Sequence, residues 1–115
     1  MGGVRPTPAQ FSILLTLAQG EMHGYAIMKA VGEEQGPRLG PGTLYRSIKQ
    51  LLDAGLIAEA GDRPDPDSAD DQRRRYYRLT GTGRQLAQAE AARLDRLIDR
   101  ARSVGLLPPM RPRHA

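Results

Sequence analysis

The stretch from Gly40 to Thr80 constrains this chain most. It opens with Pro41-Gly42-Thr43-Leu44-Tyr45-Arg46-Ser47-Ile48-Lys49-Gln50-Leu51-Leu52-Asp53-Ala54-Gly55. At 100° per residue, with Leu44 at zero, Ile48 falls at about 40°, Leu51 at about 340° and Leu52 at about 80°. These make one apolar stripe of a helix. On the same wheel Lys49, Arg46, Gln50 and Thr43 span about 140° to 260°, a coherent polar face, and Tyr45 sits on the border at about 100°. Gly55 suits the left-handed position that ends a helix. Two short β-patterned runs follow, Leu56–Ala60 and Arg75–Leu79. Between them lies a polar, proline-bearing segment, Gly61–Gln72, without periodicity, which reads as a long mobile hairpin loop.

The flanks read as helices. Thr7-Pro8-Ala9-Gln10 is a helix start, with Thr7 as cap, Pro8 in the first turn and Gln10 completing a capping box. Phe11, Ile13, Leu14, Leu15, Leu17 and Ala18 follow, ending near Gly20, and cover more than one stripe. Such a helix is buried on more than one side, against its own domain and a further surface such as a second copy of the chain. A second helix is expected from about Gly24 to Glu34, with Ile27, Met28 and Val31 inward and Lys29 and Glu33 outward. The run Gln35–Gly42 is a turn-rich connector. Thr80 caps a last helix from about Gly81 to Ser103. There Ala87, Ala91, Leu94, Ile98 and Ala101 recur at alternating spacings of four and three, widened by Leu86, Leu97 and Val104, like a short coiled-coil seam. Packing onto the chain's own core is the alternative for that stripe.

The expected class is α+β, mostly α: three helices plus a two-stranded wing, then a C-terminal helix. Residues 1–80 form the winged helix-turn-helix, 81–104 the last helix and 105–115 a tail read as disordered. At 115 residues the chain is one domain by length with a modest core, often supplemented by oligomerisation.

Chemistry narrows the function. The formal charge is +4, and arginine supplies fifteen of the seventeen basic residues. Arginine's fork matches phosphate and guanine edges, although a GC-rich genome gives the same bias. Cysteine is absent, which excludes disulfides and thiolate chemistry. His23 and His114 lack ligand spacing, the loop aspartates lack the glycine and glutamate of a calcium loop, and no serine carries a nucleophile signature. No enzyme activity, metal or cofactor is expected. No apolar run approaches a membrane span and the first residues lack a signal-peptide core, so a cytoplasmic location is expected.

A helix with a basic polar face beside an arginine-bearing hairpin is the layout of a winged-helix DNA reader. Thr43, Tyr45, Arg46 and Lys49 are placed to meet base edges or phosphates in a major groove. Arg73, Arg74 and Arg75, with Arg78, can follow the backbone or enter a minor groove. Strand alternation puts Arg74, Tyr76 and Arg78 on one face and Arg75, Tyr77 and Leu79 on the other. Asp62, Asp65, Asp67, Asp70 and Asp71 oppose these charges, so contact is expected from the arginine end of the hairpin and not from its tip.

In order along the chain, Leu14-Leu15-Thr16-Leu17, Met22-His23-Gly24-Tyr25, Gly42-Thr43-Leu44-Tyr45, Leu51-Leu52-Asp53-Ala54-Gly55-Leu56-Ile57, Arg74-Arg75-Tyr76-Tyr77-Arg78-Leu79-Thr80 and Gly83 resemble the PadR family of winged-helix transcriptional regulators. The resemblance covers about residues 9–85, and the single last helix is similar to the short subfamily. It implies a homodimeric repressor that pairs through the last helix and the first. Phe11, Leu14, Leu86, Ala87, Ala91, Leu94, Leu97, Ile98 and Ala101 would then form the dimer seam. Two recognition helices would meet a palindromic operator about 34 Å apart. By motif position Tyr25 and Lys29 brace the recognition helix or touch phosphate, and His23 and Gly24 shape the turn into the second helix. Many members have proline where this chain has Arg46, so that contact rests on the wheel alone. Some members sense flat aromatic ligands with a tryptophan, which this chain lacks. The alternatives are a small-molecule-binding dimer module and a protein-interaction winged helix without DNA binding.

Overall fold

A computed structural model describes residues 5–33, 38–66 and 73–110. The expectations for the connector at Gln35–Pro37, the loop at 67–72 and the tail at 111–115 lie outside the described residues. The order of elements is α1 (Pro8–Leu17), β1 (Met22–His23), α2 (Gly24–Glu33), α3 (Pro41–Asp53), β2 (Ile57–Pro64), β3 (Arg73–Leu79) and α4 (Gly81–Ser103).

Local chemistry sets the helix ends. The Thr7 hydroxyl accepts from Gln10 N at 3.1 Å while Gln10 Oε1 accepts from Thr7 N at 2.9 Å, so the capping box closes both ways. At the end of α3, Gly55 adopts φ +74°, Leu56 N donates to Leu51 O at 2.9 Å and Gly55 N to Leu52 O at 3.0 Å. This paired return satisfies carbonyls that the helix leaves open. The Thr80 hydroxyl accepts from Gly83 N at 3.0 Å and donates to Gly55 O at 2.7 Å, capping α4 while tying it to the end of α3.

The sheet has three antiparallel strands in the order β1-β3-β2, not the two expected. Met22 pairs with Tyr77 and His23 with Tyr76, so the residues before α2 join the wing as an extra strand. Strands β2 and β3 extend four and two residues further into the hairpin than their expected limits at Ala60 and Arg75. The register shifts between Glu59 and Asp62, where Gly61 takes φ +94°, a β-bulge that lets the ladder resume beyond it.

Ile13, Leu14 and Leu17 of α1, Ile27 and Val31 of α2, Leu39 just before α3, Leu44, Ile48 and Leu51 of α3, Ile57 and Tyr77 form one buried core. The expected stripe of α3 holds, with Leu52 partly buried; Ser47, also buried, was not expected there. Leu14 requires a correction: it is fully buried within its own chain and has no surface to give a second copy. Its neighbour Leu15 faces out at 44% exposure. Sequence alone does not separate inner from outer here because the apolar residues of α1 cover more than one stripe. Burial pushes the Tyr77 phenol up, against the opposing pull of Arg75.

Candidate nucleic-acid interface

Thr43, Arg46 and Lys49 are exposed on α3 opposite the core stripe, and Tyr45 is exposed at the border of that stripe. The Tyr45 ring rests over the start of α2: a Cβ built on Gly24 would stand 3.0–3.2 Å from it. Glycine there permits α2 and α3 to approach, while Tyr45 stays 52% exposed. Lys49 Nζ lies 3.2 Å from Asp53 Oδ2, an exposed pair one helical turn apart. Such a pair contributes little and yields readily to a phosphate. Arg46 has no ion pair among the described residues, nor have Lys29 on α2 and Arg78 on β3. Tyr25 and Lys29 are exposed on α2.

The wing arginines are differently placed. Arg73 donates to the Asp62 carbonyl. Arg75 lies 3.4 Å from Glu59 and 3.7 Å from Asp62, in exposed pairs that screening weakens. Arg74 turns toward a buried carboxylate, with Nε 3.6 Å from Asp65 Oδ2. Arg63, absent from the sequence-based set, stands opposite Arg74 across the ladder and pairs with Glu21 at 2.6 Å. It was missed because Asp62-Arg63-Pro64 reads as loop; only its pairing with Arg73–Arg75 shows strand.

A second surface runs along α4. Leu86 and Ala87 are half-buried against the core, and Phe11 on α1 is half-buried. Leu94 and Ala101 are half-buried and Ala91 is exposed, while Leu97 and Ile98 remain 43% and 41% exposed. So the stripe divides: Leu86 and Ala87 serve the chain's own core, while Leu97 and Ile98 face outward. Glu90 accepts two hydrogen bonds from Arg93, at 3.0 and 2.7 Å. Those bonds hold the Glu90 carboxyl below the usual carboxylate range. Among the described residues no cluster of three His, Cys, Asp or Glu could hold a metal ion, and no helix is long and apolar enough to cross a membrane.

Known proteins share both sequence and shape. The profile of the Transcriptional regulator PadR-like family matches residues 13–89. An uncharacterized 37.1 kDa protein in transposon TN4556 of Streptomyces fradiae is 38% identical over 97 residues, covering 84% of this chain. The chain spans only 26% of that relative's length. A PadR family transcription regulator from Clostridium difficile R20291 superposes with a TM-score of 0.69 at 25% identity, covering 88% of this chain and all of that one. Bacillus subtilis PadR, solved in complex with operator DNA, gives a TM-score of 0.60 at 26% identity over 71% of this chain and 45% of its own. With more than half of its length matched by the family profile and its winged fold shared with these regulators, the chain belongs to the PadR-like family of transcriptional regulators, not to an enzyme family.

Proposed function

We propose that this protein is a sequence-specific DNA-binding repressor that acts as a homodimer and is released from its operator by a small-molecule signal. The carrying observation is the outward face of α3, where Thr43, Tyr45 and Lys49 flank an Arg46 with no ion pair among the described residues. An unpaired guanidinium on a helix beside a wing is free to bond a guanine edge bidentately. The DNA-bound state of Bacillus subtilis PadR supports this use of the fold. Lys49, Arg73 and Arg75 supply phosphate contacts, with Tyr25 and Lys29 flanking them on α2. The exposed Leu97 and Ile98 support pairing through α4, since apolar groups gathered on one helix face favour being covered. An open groove of about 560 Å³ lined by Pro6, Gln10, Gln50, Leu51, Leu56 and Leu86, among others, gives an effector room within one chain. Action on the chromosome places the protein in the cytoplasm.

Fluorescence anisotropy with DNA from upstream of its own gene tests the reading. Binding is expected to weaken steeply with salt, with a log–log slope of about −0.9 per phosphate neutralised. Arg46→Ala should cost about 1–3 kcal/mol per half-site and relax preference at one base pair. Lys49→Ala should weaken all sequences alike and shallow the salt slope by about one per half-site. Arg102→Ala, at the far end of α4 beside Asp99, should do neither. No binding at low salt, or binding indifferent to salt, refutes the proposal.

A further inference from the structure

Within Gly61–Pro66 of the hairpin every residue is exposed except Asp65, which is only 7% exposed. It sits against His23, itself 7% exposed, at the junction of β1 and α2. His23 Nδ1 accepts the Ala26 N–H at 3.2 Å, so that nitrogen offers a lone pair and the ring proton belongs on Nε2. Nε2 in turn lies 3.4 Å from Asp65 Oδ2. The imidazole thus serves the first turn of α2 with one nitrogen and faces the wing with the other.

A buried carboxylate requires a compensating charge, and Arg74 provides it from the opposite strand. The Arg74 Nε is itself buried and, among the described residues, has no hydrogen-bond partner, so its place is set by that carboxylate. Aromatic rings fill the remainder. Tyr76 meets the His23 ring edge-on at 5.3 Å, and the Arg63 guanidinium lies 3.9 Å over Tyr76. Arg74 lies 5.8 Å from the centre of the Tyr25 ring. From the same junction Gly24 carries the Tyr45 ring of α3. One cluster therefore touches the wing, the start of α2 and the recognition helix.

We propose that His23, Asp65 and Arg74 form a latch that fixes the wing in register with the recognition helix, so that Asp65 and Arg74 are positioning residues for DNA reading and not DNA contacts. This rests on the DNA-reading function proposed above. Beyond the two residue pairs that join β1 to β3 the wing is a two-stranded hairpin, marginal by itself, and a free outer wing would have to be ordered upon binding at an entropic cost. The latch meets that cost in the free protein.

The latch predicts a sign opposite to simple electrostatics. Removing an acid from a DNA-facing wing should tighten binding, as Asp62→Asn, on the exposed strand, should do or leave affinity unchanged. Asp65→Asn, which keeps size and removes charge, should instead weaken operator binding by about tenfold, with Asp65→Glu recovering part of the loss. Arg74→Ala should weaken it similarly, and the double variant should be no worse than either single one, because both break one unit. Tighter or unchanged binding by Asp65→Asn, or additive effects of the pair, overturns the latch. Hydrogen exchange of the DNA-free protein supplies a separate readout. Amides of Met22–Tyr25 and Tyr76–Tyr77 should exchange faster in Asp65→Asn while those of α1 keep their protection; unchanged exchange at the junction also overturns the proposal. If the wild type binds no DNA, the function fails and the exchange result alone decides the latch.

Discussion

Gly83 and Gly32 are both helical glycines, and replacing each with alanine should move stability in opposite directions. A Cβ on Gly83 would stand 1.9 Å from the Leu56 carbonyl oxygen, 2.8 Å from its carbon and 2.9 Å from Leu79 Cδ1. Ordinary contacts begin at 3.4 Å, so the start of α4 must retreat by up to 1.5 Å, the difference between 3.4 and 1.9 Å. The Leu79 side chain could turn aside, but the two nearest atoms belong to the Leu56 backbone and cannot. The retreat strains two bonds that hold α4 down, Thr80 N to Leu56 O at 3.2 Å and Thr80 Oγ1 to Gly55 O at 2.7 Å. Losing both costs about 2 kcal/mol, and overpacking adds about 1–3 kcal/mol. Alanine's helix propensity returns up to about 1 kcal/mol. The net loss is about 2–4 kcal/mol, a fall in Tm of roughly 10–30 °C for a domain of this size. Gly32 is exposed near the end of α2 and a Cβ there meets nothing within 4 Å. Gly32→Ala should therefore gain about 0.4–1 kcal/mol by restricting the unfolded chain. Thermal and urea unfolding of both variants at one protein concentration measure the difference. A Gly83→Ala protein as stable as the wild type would show that the junction between Leu56 and α4 is not closely packed, refuting the reasoning.

Leu44→Ala empties a fully buried site between α3 and the core and should cost about 2–5 kcal/mol, read from the urea midpoint at unchanged slope. Glu90 titrates below its ordinary value of 4.5 because Arg93 hydrogen-bonds its charged form. Its contribution is thus present above pH 4.5 and lost as pH falls through the lowered folded value. The wild type should melt above Glu90→Gln at pH 7, and the gap should close on acidification; a gap that widens contradicts the assignment. Ile98→Asp and Leu97→Asp place charge on the exposed part of α4 and should yield monomers by sedimentation velocity while the circular dichroism stays helical. Persisting dimers would remove that face from the interface.

Much of the helical frame was legible because its signals act over a few residues. Thr7 with Gln10, Gly55 after Asp53, and Thr80 before Gly81 each state a helix end in adjacent side chains, and the Leu44–Ile48–Leu51 stripe states which side goes in. The ordered motifs likewise marked the PadR-like family. Within the candidate site, the outward placement of Thr43, Arg46 and Lys49 followed from the same periodicity. What escaped depends on residues far apart in the chain. Met22 and His23 carry no strand signal, and become one only by pairing with Tyr77 and Tyr76 more than fifty residues later. Asp62, Arg63 and Pro64 read as loop because aspartate and proline disfavour strands, yet the bulge at Gly61 lets them continue the ladder.

The same division governs charge and apolar surface. By sequence alone, Asp65 is one of five acids in a polar segment and Arg74 one of three successive arginines. Tertiary structure buries the first against His23 and turns the second toward it, leaving their neighbours exposed. Composition fixed how many charges the wing carries; packing decided which are spent within the molecule and which face outward. Along α1 the amino-acid order spread apolar residues over more than one stripe, and only the docking of α2, α3 and α4 chose Leu14 for the interior and Leu15 for the surface. Caps and periodicity are local free energies and can be read from neighbouring residues, whereas burial is a property of what arrives from elsewhere in the chain.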